Sequence, residues 1–170
     1  MTKIDIPRLK RPSRADFVER FLMPGLPVII EGAIDDWPAL HKWNPAYLAK
    51  AAGEREVEVT TEEDGYFNRP RMPQRMPMAD FVRVLSDPKA TGISYLKQQD
   101  FATLPELVPD VTLPTYAEGP AVIATNIWVG PAGTATPLHY DPFENLFAQV
   151  HGAKAFELVH PGDLDLAYVR

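Results

Sequence analysis

The chain has no cysteine, and only four of its 170 residues are histidine. The missing thiol excludes a disulfide framework and thiolate metal sites, so a bound metal must rest on His, Asp or Glu. It does not fix the compartment, although a cytoplasmic, reducing setting fits. There is no run of about 18 apolar residues, so no membrane span is expected. The N-terminal MTKIDIPRLKRPSRADF is basic but lacks the apolar core of a secretory signal. Internal repeats and low-complexity tracts are also missing. The net charge of −6 argues against nucleic acid as the main partner. Lys3, Arg8, Lys10, Arg11 and Arg14 read as a solvated arm.

What is present is a hydrophobic fraction of 45% beside 24% charged residues, the balance of a folded globular chain. Eighteen prolines are spread along it and punctuate short elements. Ser13 with Asp16 predicts a helix start, and Phe17, Phe21 and Leu22 give its apolar stripe up to Pro24-Gly25. PVIIEG, 27–32, predicts a buried strand, and Asn44-Pro45 a capped helix reaching Gly53. REVEVTT, 55–61, alternates as a strand with one wet face. DGYFNRPRMPQRMP reads as loop, Glu62, Glu63 and Asp64 as a solvated turn, MADFVRVLSD as an amphipathic helix, and ISYLKQQ, 93–99, as a strand. Trp37, Trp43 and Trp128 read as packing residues.

From residue 121 the pattern changes. AVIATNIWVG, TATPLHYD, NLFAQVHG and AKAFELVH are strand-like runs separated by Gly- or Pro-bearing turns, which suggests an antiparallel sandwich or barrel. The expectation is one mainly β (α+β) domain over 1–170, with mixed α/β structure in 1–120 and the first core strands in 121–170.

The chemistry concentrates in TPLHYDPFENLFAQVHGAK, residues 136–154. On a strand His139 and Asp141 point the same way, with Tyr140 opposite. An imidazole and a carboxylate side by side are two corners of the 2-His-1-carboxylate triad that holds Fe(II). The spacing alone is weak, since about 0.3 such pairs arise by chance in a chain of this composition. Lys154 adds to it. Alternation puts it on one face with Phe156 and Leu158, and an unpaired ammonium is costly in an apolar setting. If that face points inward, a small dicarboxylate would be its partner; if outward, the lysine simply reaches water.

TPLHYDPFENLFAQVHGAKAFELVHP resembles the metal-binding core of the jumonji-C (JmjC) domain in its cupin-like branch, a family of Fe(II)- and 2-oxoglutarate-dependent oxygenases. GLPVIIEGAIDDWPALHKW and ISYLKQQ are similar to its opening strand with tryptophan-bearing loop and its tyrosine-bearing strand. The resemblance implies a double-stranded β-helix, or jelly-roll, with N-terminal helices outside. It implies that His139 and Asp141 are iron ligands. Lys154, assisted by Thr136 and Tyr95, would hold the distal carboxylate of 2-oxoglutarate, and Asn145 would lie near that co-substrate. It further implies hydroxylation of a protein or peptide side chain, as in the asparaginyl hydroxylase of hypoxia-inducible factor.

The family's third ligand is a later histidine. His151, in a turn, and His160, at a strand end, do not match its position. The domain is therefore expected to lack its C-terminal part, to leave the barrel incomplete, and to offer an exposed sheet edge for self-association. A catalytically inactive cupin-like binding or scaffold module is the alternative. A Zn- or Mn-dependent cupin isomerase would use similar ligands but gives Lys154 no role.

Overall fold

Alternate burial along β3 (Glu56–Glu62) organises the computed structural model, which describes residues 5–63, 72–87, 89–90, 92–118 and 122–166. Val57 and Val59 turn toward one side, as the two-residue period of REVEVTT requires. Three further strands complete an antiparallel sheet in the order β4-β3-β5-β6: β4 (Gln74–Pro77), β5 (Ile93–Asp100) and β6 (Asn126–Val129). The sheet is open, not closed into a barrel among the described residues, as a partial jelly-roll would be. No described helix is long and apolar enough to cross a membrane.

The core lies on the face that carries Val57, Val59, Leu96 and Ile127. Two helices cover that face, α3 (Pro45–Ala52) and α4 (Met78–Ser86), and they contribute Leu48, Ala52, Met78, Phe81 and Val82. Asn44 caps α3 by accepting from the Tyr47 amide at 2.9 Å, and Pro45 fits the first helical position, where no donor is needed. Fully burying a side chain of the size of Phe81 stabilises by about 2–3 kcal/mol. Truncating Phe81 to alanine is expected to cost about 3–5 kcal/mol, because the site cannot collapse completely.

At the N-terminus, the Ser13 hydroxyl accepts from the Asp16 amide at 3.1 Å and donates to its carboxylate at 2.5 Å. This starts α1 (Arg14–Phe17), which widens into a π-helical turn at Val18–Leu22. The chain then reverses at Gly25, whose φ of +66° is open to glycine without strain. The basic segment is not a free arm. β1 (Arg8–Lys10) pairs in parallel with β2 (Ile29–Glu31), Arg8 meets Glu31 at 3.1 Å, and Arg11 meets Asp35 at 3.4 Å. Arg14 donates to the carbonyls of Thr115 and Glu118. With a single strand partner, β2 is partly exposed rather than buried.

Three other expectations are corrected. Residues 74–77 are not loop: despite flanking prolines they pair with β3, with Arg75 bonded to Glu58. Glu62 does not sit in a solvated turn but is buried at the end of β3; Asp64 lies outside the described residues. Of the four strand-like runs after residue 121, only the first supplies a strand, β6. The stretch 136–160 is irregular chain without a hydrogen-bonded ladder among the described residues. Alternation records which side chains prefer which face, but a strand exists only where another strand takes its backbone groups.

A buried carboxylate ties the helices to the chain beyond β5. Asp110, only 2% exposed, accepts from Lys42 Nζ at 2.6 Å, Trp43 Nε1 at 3.1 Å and Tyr47 OH at 2.6 Å. Lys42 lies on α2 (Ala39–Lys42) and Tyr47 on α3. Burial by itself would raise the Asp110 pKa, but these three donors outweigh it and hold the carboxyl below its ordinary value.

Candidate functional site

The site lies on the sheet face away from α3 and α4. Ile127 and Leu96 point into the core, and Val129 packs against it, so their neighbours Trp128 and Tyr95 face the other side. β5 carries a bulge there. Leu96 pairs with Val129 but Gln99 with Ile127, and Gln98 takes the extra position with φ +56°. The irregularity lies opposite Trp128, whose ring centroid is 6.1 Å from that of Tyr95. Gly130 then passes so close to the tyrosine that a Cβ would stand 2.6 Å from its ring. Only glycine allows the two to approach this way.

The segment 136–160 brings the remaining candidates. His139 Nδ1 lies 2.8 Å from the carbonyl of Pro137. A carbonyl can only accept, so Nδ1 carries the hydrogen, and Nε2 of the neutral ring keeps a free lone pair. Asp141 is fixed in a similar way: Asn145 Nδ2 donates to its Oδ2 at 2.7 Å. The remaining two atoms, His139 Nε2 and Asp141 Oδ1, are 3.9 Å apart. Both side chains are about half exposed, at 57% and 53%.

Two cis ligands about 2.1 Å from one ion lie about 3.0 Å apart, so this pair, at 3.9 Å, would have to close by about 0.9 Å to share it. The donor types, neutral imidazole and carboxylate, suit Fe(II). Among the described residues no third His, Asp or Glu joins them. His151 and His160 are exposed, and His160 Nδ1 accepts instead from the Gly162 amide at 3.0 Å.

Lys154 is an exposed residue, but its ammonium lies against tyrosine and aromatic rings rather than beside an acid among the described residues. Its Nζ lies 3.4 Å from Tyr95 OH and 5.7, 5.2 and 5.5 Å from the ring centroids of Trp128, Phe147 and Phe156. Burial against these groups pushes the ammonium below the ordinary lysine pKa, and burial likewise raises the Tyr95 phenol. Tyr95 and Lys154 are thus brought together, as are Asp141 and Asn145. Thr136 is exposed and makes no hydrogen bond to another described residue. Sequence reasoning took Trp128 for a packing residue and did not single out Phe147, although both rings lie near the Lys154 ammonium, as does that of Phe156. A faint signal existed in the lysine flanked by aromatics within an apolar stretch.

The cupin-like domain family matches residues 14–170. The chain is 37% identical to lysine-specific demethylase 8 of Xenopus tropicalis, over 96% of this chain and 38% of that protein. It is 36% identical to Jumonji C domain-containing protein 5 of Drosophila melanogaster, over 96% of this chain and 43% of the relative. To the human bifunctional peptidase and (3S)-lysyl hydroxylase JMJD7 it is 35% identical, over 89% of this chain and 52% of the relative. The chain thus spans between about two-fifths and one-half of these curated relatives. With its match to the family and its partial jelly-roll, the chain belongs to the cupin-like domain family, in the JmjC branch.

Proposed function

We propose that the chain is the cupin-like part of an Fe(II)- and 2-oxoglutarate-dependent oxygenase that hydroxylates a protein side chain. The observation that carries this reading is the orientation of the His–Asp pair. Each side chain is tied down through one atom, and the two remaining donors lie 3.9 Å apart. Relatives named as a lysine-specific demethylase and a lysyl hydroxylase support a protein substrate.

His139 would bind iron through Nε2 and Asp141 through Oδ1. The Pro137 carbonyl and Asn145 would hold those side chains in the ligating orientation. Lys154 would pair with the distal carboxylate of 2-oxoglutarate, with the Tyr95 hydroxyl beside it. Charge supports this assignment, because ferrous iron, one aspartate and a doubly ionised oxoacid leave a single negative charge for one lysine to neutralise. When bound, the iron supplies oxygen activation coupled to conversion of 2-oxoglutarate into succinate and CO2, and the protein contributes orientation and shielding.

Succinate formation from 2-oxoglutarate with Fe(II) tests the assignment. The full chain should produce succinate, and His139→Ala should abolish it. A folded protein that binds 2-oxoglutarate without ever forming succinate would instead support a binding or scaffold module, a reading favoured by the convergence of only two donors among the described residues.

A further inference from the structure

We infer that residues 5–36 form an N-terminal flap that opens as one unit, latched to the rest of the protein at residues 115–118. Among the described residues, every hydrogen bond, ion pair and ring contact between 5–36 and 43–166 ends on that short segment. The Tyr116 hydroxyl donates to the Pro12 carbonyl at 2.7 Å, and its ring meets Phe17 edge to face at 5.2 Å and 67°. Arg14 donates from Nε to the Thr115 carbonyl at 3.2 Å and from Nη2 to that of Glu118 at 3.4 Å. Arg14 is exposed and water competes for its bonds, whereas Tyr116 is half-buried and forms the firmer part of the latch.

The flap is organised from within. β1 and β2 form a sheet of their own, separate from the four-stranded one. The Ile29 amide donates to the Pro7 carbonyl at 2.9 Å, the Arg11 amide to Glu31 at 3.1 Å, and the Leu26 amide to Phe21 at 2.8 Å. The ion pairs Arg8–Glu31 and Arg11–Asp35 join the same parts of the chain. Phe17 and Phe21 are buried, yet neither belongs to the core cluster on the main sheet, which draws no member from 5–36. Release of the latch therefore leaves both the core and the flap's own bonds in place. Contiguous units attached this sparsely open at a lower free energy than the core they adjoin. The flap joins α2 through Trp37-Pro38, the point about which it would turn. The sheet does not depend on the latch, because the Phe101 amide bonds to the Thr125 carbonyl at 2.9 Å and closes the base of the β5–β6 connection. Asp110 pins the middle of that connection through Lys42, Trp43 and Tyr47.

Native-state hydrogen exchange on the full chain tests the inference. After correction for intrinsic rates, the Arg11, Leu26 and Ile29 amides should exchange together, and at least about tenfold faster than the ladder amides of β3 and β5. Tyr116→Ala, which removes both the bond to Pro12 and the ring contact with Phe17, should speed the flap amides by about a further tenfold. The β3 and β5 amides should stay within about twofold of the wild type. Tyr116→Phe keeps the ring and loses only the hydrogen bond, so it should speed the flap by about threefold to fivefold. That variant carries the test should the alanine variant fail to fold. Flap amides that exchange in step with the sheet, or that ignore the Tyr116 substitutions, overturn the inference.

Discussion

The Asn145 side-chain amide donates to Asp141 Oδ2 at 2.7 Å, which leaves Oδ1 turned toward His139 Nε2. A half-exposed aspartate would otherwise rotate freely, so Asn145 is the group that would make it a directed ligand in the proposed site. Removing such support usually weakens metal binding by about 10–100-fold. Asn145→Ala should therefore raise the Mn(II) Kd by about tenfold or more, measured by the loss of the free-ion signal in electron paramagnetic resonance, with little change in Tm.

Gly130 gives a second prediction. In Gly130→Ala the new methyl group would stand 2.6 Å from the Tyr95 ring, and a buried ring has little room to yield. Overpacking of this kind costs about 1–3 kcal/mol. Urea denaturation should show that loss, and 2-oxoglutarate affinity should fall as the phenol moves away from Lys154.

Asp110 yields a stability prediction that does not involve the site. Asp110→Asn weakens three hydrogen bonds to a buried group, so unfolding free energy at pH 7 should drop by about 2–4 kcal/mol. The folded carboxyl titrates below its unfolded value, which is ordinarily about 3.9. The carboxylate's contribution is thus complete above that value and fades as pH falls through the lower, folded one. Denaturant titrations should show the gap between wild type and variant constant from neutral pH down to about 5 and narrowing in stronger acid.

Parts of this arrangement were legible from residue types alone. A histidine two positions before an aspartate, and a lysine in an apolar run, raise chemical questions whatever the fold, and both proved to have directed side chains. The caps at Ser13 and Asn44 were legible because their partners lie three residues away. Asp110 was not, since its donors are 63 to 68 positions distant and no local pattern marks a carboxylate for burial. β4 was hidden by Pro73 and Pro77, which read as loop although an edge strand tolerates proline at its ends. Trp128 carried the signature of ordinary packing, and its position beside Lys154 depends on a residue 26 positions further along the chain, which no local pattern marks. The stretch 136–160 misled in the opposite direction, because its alternation is real while its ladder is missing among the described residues.

The central claim is that His139 and Asp141 hold a metal ion and Lys154 holds the far carboxylate of an oxoacid. Calorimetric titration of 2-oxoglutarate into the full chain, with and without Mn(II), tests it most directly. The account predicts metal-dependent binding that disappears in His139→Ala and weakens at least about tenfold in Lys154→Met. Binding that is indifferent to the metal, or that survives both substitutions unchanged, would contradict it.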